Sequence, residues 1–260
     1  ILSGLVGSEM CIRDSPIRAG MKKLLLNSLL FDTHFGVIIR IYRNKTPKSI
    51  LDKMKPHYLD VLGKKNGSSF NYLPEELKHD KELCLAAVSK WVLIFLDLPE
   101  ELKHDRDICL ATVKKDGYSL RWVPKELQDR EMCLAAVNSY GEALQFVPEE
   151  LKDKEMCLAA VSNFGLAVDL VPRELKHDRD ICLATVSNNG LALHWIPKAL
   201  RDREICLAAV RQSGWALEDV PEELRKDRDI CLAAVEQVGR GLLRYVPEEL
   251  RDSIKQELGL

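Results

Sequence analysis

Seven cysteines recur along the chain, Cys84, Cys109, Cys133, Cys157, Cys182, Cys206 and Cys231, separated by 25, 24, 24, 25, 24 and 25 residues. Eight prolines, Pro74, Pro99, Pro124, Pro148, Pro172, Pro197, Pro221 and Pro247, keep nearly the same period. A fixed spacing in this range is the mark of small modules stacked in line. The block ELKHDRDICLATV, present at Glu101–Val113 and again at Glu174–Val186, is a three-module echo of that period. A module of two dozen residues cannot bury its own apolar side chains, so each must lean on the next.

The local signals inside a module agree. An aspartate stands four residues before every repeat cysteine: Asp80, Asp105, Asp129, Asp153, Asp178, Asp202 and Asp227. Aspartate is a strong N-cap because its carboxylate accepts the unpaired amides of a helix start. A second acid, such as Glu131 or Asp180, stands two residues before each cysteine and suits the positive end of the helix dipole. The helix runs about three turns and meets Gly117, Gly141, Gly165, Gly190, Gly214 or Gly239, with Val92 the exception. Glycine just past a helix end predicts a left-handed C′ residue. The apolar block Ile181–Val186 has no polar face and predicts cover on several sides. A short turn follows, then proline, which suits the start of a brief third helix.

The expected fold is all-α, a right-handed or superhelical α-solenoid of about eight helical repeats of 24–25 residues. Residues 1–20 are expected to be artefact or unstructured, 21–46 an apolar N-terminal cap, 47–252 the repeat array and 253–260 a C-terminal tail. Leu5–Ser15 (LVGSEMCIRDS) back-translates to a transposase-library sequencing adapter read through as protein. The genuine chain then starts at Met21 or extends further upstream. From Met21 an apolar run follows two lysines, but Asn27, Asp32, His34 and Arg40 interrupt it. No stretch reaches the roughly 18 residues of a membrane span, which favours a packing cap over a membrane or targeting segment.

The core pattern D-R-E-I-C-L-A-A-V-x-x-x-G, quoted from Asp202–Gly214 and repeated in its sister units, resembles repeats of the domain of unknown function 4116 family, over roughly Pro47 to Asp252. The resemblance implies a helical repeat array and no activity, cofactor or catalytic residues. Ser89–Pro99 departs from the pattern: it lacks the glycine and is unusually apolar. Within it Trp91–Leu98 reads either as a partner groove or as a stretch buried by the apolar Met21–Tyr42 segment, and burial is expected.

Net charge is −2 over 260 residues, which gives no bulk attraction to nucleic acid or an anionic membrane. There is no phosphate-binding loop, dinucleotide fingerprint, G-x-S-x-G or H-E-x-x-H, so no enzyme activity is expected. Equivalent cysteines on neighbouring helices stand about 8–10 Å apart. That is too far for disulfides, and without a C-x-x-C no zinc site is expected. Buried free thiols and a cytoplasmic compartment are expected instead, with no cofactor and no metal. His79, His104 and His177 share one loop position and are expected to be solvated.

The candidate partner-binding residues are aromatic. Trp122, Phe146, Trp195 and Tyr245 stand two before a proline, in a series that Tyr72 begins and Asp97 and Asp219 interrupt. Tyr140 and Phe164 lie among the three varied positions before each glycine, and Trp91 opens the irregular stretch. The leading expectation is a non-enzymatic scaffold for protein–protein interaction, with a protein as partner rather than nucleic acid or membrane. The alternatives are single-stranded nucleic-acid binding through the repeat aromatics, or an accessory repeat region of a larger enzyme.

Overall fold

The structure is a computed structural model, and it describes residues 55–56, 58–60, 62, 70–71 and 73–260. The stretches expected to be artefact (1–20) and N-terminal cap (21–46), and Tyr72, lie outside the described residues. Every described element is a helix. The chain divides into two compact units, Ile1–Lys103 and His104–Leu260.

The described part of the first unit contains α1 (Glu75–Lys78), α2 (Lys81–Lys90), a 3-10 helix at Val92–Asp97, and α3 (Glu100–Lys103). Asp80 caps α2, accepting hydrogen bonds from the amides of Glu82 (3.0 Å) and Leu83 (3.1 Å). Lys55 Nζ reaches the same carboxylate (2.8 Å) and that of Glu82 (2.7 Å). Leu83, Cys84, Ala87 and Val88 form the buried stripe of α2, against which the 3-10 helix packs. Ile94, Phe95 and Leu98 are buried as expected for this apolar stretch, but Trp91, Leu93 and Leu96 are exposed. Leu93 and Leu96 are three apart, one turn of a 3-10 helix, so they share an outward face.

In the second unit the helices are α4 (Arg106–Lys115), α5 (Arg130–Ser139), α6 (Lys154–Asn163), α7 (Arg179–Asn188), α8 (Arg203–Gln212), α9 (Arg228–Val238) and α10 (Glu248–Leu258). Each packs on its successor. The turn expected after each glycine is a six-residue 3-10 helix: Gly117–Trp122, Gly141–Phe146, Gly165–Leu170, Gly190–Trp195 and Gly214–Asp219. These form a second layer, each packed on its own helix and on the next. The core alternates between the layers. Ile205, Cys206, Ala209 and Val210 of α8 are fully buried beside Ala216, Leu217 and Val220. Thr112 and Thr185 replace the core alanine in their modules, and each hydroxyl donates to the carbonyl four residues back (2.7 Å).

The irregular period is absorbed before the cap, so α4 through α8 keep ten residues each. In the shorter form Gln128 takes φ −78°, ψ 60°, an inverse γ-turn, and the Asp129 amide donates to Leu127 O (2.8 Å). In the longer form the amide of Asp178 reaches Leu175 O, three residues back (3.0 Å). The segments after proline are short, four-residue α-helices in the first unit and three-residue 3-10 turns such as Lys125–Leu127 in the second, except after Pro247, where the eleven-residue α10 begins.

The expected left-handed glycine after each helix is corrected. Among the described residues only Gly239 and Gly259 have positive φ. The residue that ends α4 through α8 is extended instead, as in Tyr140 at φ −153°, ψ 107°, and Gly239 after α9 takes φ 84°, ψ −158°, outside the left-handed helical region. The glycine is required by proximity. A Cβ on Gly190 would lie 2.2 Å from the carbonyl oxygen of Ala209 on the next helix, and one on Gly117 would lie 2.0 Å from that of Ala136. The left-handed C-cap appears only at the end of the array, where Gly259 (φ 64°, ψ 32°) closes α10. Most of the stretch 253–260, set apart above as a tail, continues this helix to Leu258, and Ile254 is buried in the core.

Gly190→Ala is therefore expected to lower stability by about 1–3 kcal/mol through overpacking against a backbone that cannot move aside. Gly241→Ala, where a Cβ meets nothing within 4 Å, is expected to cause no loss. Paired urea titrations of the two variants check this.

Candidate interaction surface

Most charged and polar groups of the repeat are spent on the joints between modules. The first residue of each helix from α4 to α8 is basic and reaches two carboxylates of the next module. Arg130 bonds Asp153 (3.1 Å) and Glu155 (2.5 Å), Lys154 bonds Asp178 (2.8 Å) and Asp180 (2.6 Å), and Arg179 bonds Asp202 (3.0 Å) and Glu204 (2.5 Å). Arg106 and Arg203 repeat the arrangement, and Arg228 ends it on Glu257. Each cap carboxylate is thus divided: Oδ1 of Asp153 accepts the Met156 amide (2.8 Å) while Oδ2 faces Arg130. These bonds hold the cap carboxyls below their ordinary value, chiefly through the Met132 amide at Asp129 and through Lys154 at Asp178.

A second joint uses the middle of the three varied positions before each glycine. Asn188 Oδ1 accepts the buried amide of Gly165 (2.6 Å), and its Nδ2 donates back to Ser162 O (2.8 Å). Asn163 does the same for Gly141 (2.8 Å) and Asn138 O (3.0 Å), and Gln212 for Gly190 (2.5 Å) and Asn188 O (3.0 Å). Gln237 makes the equivalent contact with Gly214, and Ser139 Oγ accepts from Gly117 (3.2 Å). From Ser139 to Gln237 this position is a structural clip, not a free surface position.

The seven repeat thiols are free and buried. Several donate to the loop ahead of the cap, as Cys231 Sγ does to Arg225 O (2.9 Å) and Cys182 Sγ to Lys176 O (3.4 Å). Burial, reinforced by the cap aspartates, pushes them up to about 11 in the second unit, and Cys84 to about 12. Among the described residues no three His, Cys, Asp or Glu side chains are grouped to hold a metal. The loop histidines are in contact with water: His79 Nδ1 lies 2.6 Å from Glu101 Oε1, and His104 Nε2 lies 3.5 Å from Glu126.

What varies and faces solvent is the outer side of the 3-10 layer. Its third and fourth residues, such as Ala192 and Leu193, are buried, while the second and fifth, Leu191 and His194, face outward. Of the candidate aromatics, Trp122, Phe146 and Tyr245 are half-buried and Trp195 is 55% exposed. Tyr140 is exposed, with its hydroxyl 3.0 Å from Glu142 Oε2; Phe164 is half-buried; Trp91 is an exposed residue of the first unit.

These rings do not form an open ladder. Tyr118 packs edge-on against Phe146 (5.0 Å) and Tyr140 (6.1 Å), and the Arg121 guanidinium lies over Tyr118 (4.5 Å) and Trp122 (4.9 Å). Trp195 meets the edge of His194, which lies 3.1 Å from Asp219. Arg244 covers Tyr245 at 4.7 Å. The sequence reading missed the exposed apolar residues immediately after three successive glycines, Leu166, Leu191 and Trp215. Their signal was the column following the glycine, which carries Tyr118, Glu142, Leu166, Leu191 and Trp215.

The family model for Domain of unknown function (DUF4116) matches the chain at residues 64–103, 92–128, 129–172, 153–201 and 202–251. No curated protein and no solved structure matches it.

The repeat thiols are expected to resist an aromatic disulfide reagent in the native protein and to react in urea, which a spectrophotometric thiol count checks. Two limits on stability follow from the shifts. Raised thiols contribute fully below their ordinary value of 9.0, and this contribution is lost as pH rises toward about 11. Depressed cap carboxyls contribute above 3.8 and lose that contribution as pH falls below it. The urea midpoint is expected to be flat between these limits and to fall outside them.

Proposed function

The chain belongs to the family described as Domain of unknown function (DUF4116), and on that footing we propose that it is a non-enzymatic scaffold binding protein partners through the outer face of its 3-10 layer. The observation that carries this reading is a division of labour among side chains. Aspartates cap and bridge, glycines allow close approach, amides clip neighbouring modules, and cysteines fill the core. The remaining outward positions differ from module to module on a fixed frame. Leu166, Leu191 and Trp215 are apolar and exposed in three consecutive modules, as protein-contact residues commonly are.

Single-stranded nucleic acid is the weaker reading. Arg121 and Arg244 cover the ring faces of Tyr118, Trp122 and Tyr245 on which bases would stack. A cytoplasmic location is part of the same proposal, since thiols kept as free core residues suit a reducing compartment. Among the described residues no helix is long and apolar enough to cross a membrane.

The test is capture of partners from an extract of the source cells on the immobilised full chain, followed by binding of the recovered protein to surface variants. The expected result is a protein whose affinity falls about tenfold or more with Trp215→Ala or Leu191→Asp, while melting temperature is unchanged. Recovery of RNA alone, released steeply by salt, or of nothing specific, overturns the proposal.

A further inference from the structure

The outward fifth position of each 3-10 helix in the second unit carries Arg121, Gln145, Asp169, His194, Glu218 and Arg244 in succession. Most of its charges are answered locally. Asp169 lies 3.8 Å from Lys176, and His194 lies 3.1 Å from Asp219. Arg244 donates to the Tyr245 hydroxyl (2.9 Å), which is also bonded to Glu218. Arg121 and Arg244 both meet no carboxylate among the described residues, but Arg121 also donates no side-chain hydrogen bond there, and the equivalent position of the next module is the neutral Gln145. Lys114, Lys115 and Lys125 of the same module are exposed and likewise meet no carboxylate among the described residues.

Arg121 is nevertheless held in place. Its guanidinium lies over the rings of Tyr118 and Trp122, and Tyr118 is braced in turn by Phe146 and Tyr140 of the following module. A ring face accepts none of the strong guanidinium hydrogen bonds, and Arg121 has no hydrogen-bond acceptor among the described residues, so its N–H fork is left for a carboxylate, which it can meet with two parallel hydrogen bonds. Because the rings already restrict the side chain, less freedom is lost when a partner binds.

We infer that Arg121 is the docking point for a carboxylate on an acidic protein segment, with Tyr140 and Phe146 beside it to receive an adjacent apolar side chain. This rests on the scaffold reading and names its partner chemistry. A nucleic-acid base is disfavoured because Arg121 covers the ring faces it would stack on.

The test uses a fluorescein-labelled Glu-Glu-Phe-Glu-Glu peptide, titrated with the full chain and read by anisotropy, with inorganic phosphate and hexauridylate as competitors. The peptide is expected to bind, more weakly as salt rises. Arg121→Gln is expected to weaken binding about tenfold or more, and Arg121→Lys by less, since lysine keeps the charge without the fork. Both variants are expected to melt as the parent does. Equal peptide binding by parent and Arg121→Gln, or displacement by hexauridylate or phosphate at lower concentration than unlabelled peptide, overturns the inference. A captured protein partner held equally by parent and Arg121→Gln overturns the docking point and leaves the scaffold reading standing. Failure to capture any partner, with the peptide still bound through Arg121, overturns the scaffold reading instead.

Discussion

The architecture of the second unit depends on a close approach of backbone to backbone. The carbonyl oxygen of Ala209 occupies the space a side chain would take on Gly190, and the same holds at Gly117, Gly141, Gly165 and Gly214 against their following helices. Only glycine permits this, and the contact fixes how far each module sits from the next. At that separation the stripe of Ile205, Cys206, Ala209 and Val210 closes against its neighbours without a gap. It also brings the Gly190 amide within reach of Gln212, so that a buried donor which no helix satisfies acquires an acceptor. The apolar burial supplies the stability, and the clip prevents that burial from stranding a polar group.

The ion-pair ladder plays a different part. Its members are largely exposed, and exposed pairs contribute little to stability. Their geometry is more informative. A base at the first helical position can reach both the cap and the first-turn acid of the next module only when the two helices are in register, as Arg130 does with Asp153 and Glu155. A slip of one residue along the helix would break both contacts. The ladder therefore discriminates between registers that a stripe of Leu, Ala and Val would tolerate almost equally well. Lys154 does the same with a compact ammonium in place of a guanidinium, which shows that charge and reach matter here more than the fork.

The period, the caps and the buried cysteines were legible in the sequence because each is a local rule. An aspartate three residues before an apolar block caps a helix whatever lies beyond it. The role of the glycines was not legible, because a left-handed cap and a close approach both demand glycine and differ only in what stands opposite. The amide clip was hidden for a related reason. Serine, asparagine and glutamine alternate there, Ser139, Asn163, Asn188, Gln212, and variation in polar residues reads as surface. The aromatic column before proline was legible as a pattern, but the rings were brought into contact by residues from another column, Tyr118 and Arg121. Such contacts cross between modules and have no trace in linear spacing.

The same geometry limits what the outer face can recognise. Helices packed in succession are about 8–10 Å apart, and an extended chain advances about 3.3 Å per residue. Equivalent side chains on neighbouring modules thus fall opposite about every third residue of an extended partner. A helical partner, rising 1.5 Å per residue, would present about six residues, nearly two turns, over the same interval. Leu166, Leu191 and Trp215 stand at equivalent positions on three consecutive modules. They are spaced for apolar residues about three apart on a strand, or about two turns apart along one face of a helix. Arg121 stands two modules before Asp169 in the fifth-position column, with the neutral Gln145 between them. Asp169 is answered by Lys176 and Glu218 by the Tyr245 hydroxyl, so Arg121 is the charge in this stretch left to a partner. An acidic anchor at Arg121 accordingly fixes the direction in which a partner lies along the modules, because Leu166, Leu191 and Trp215 all follow it on the same side.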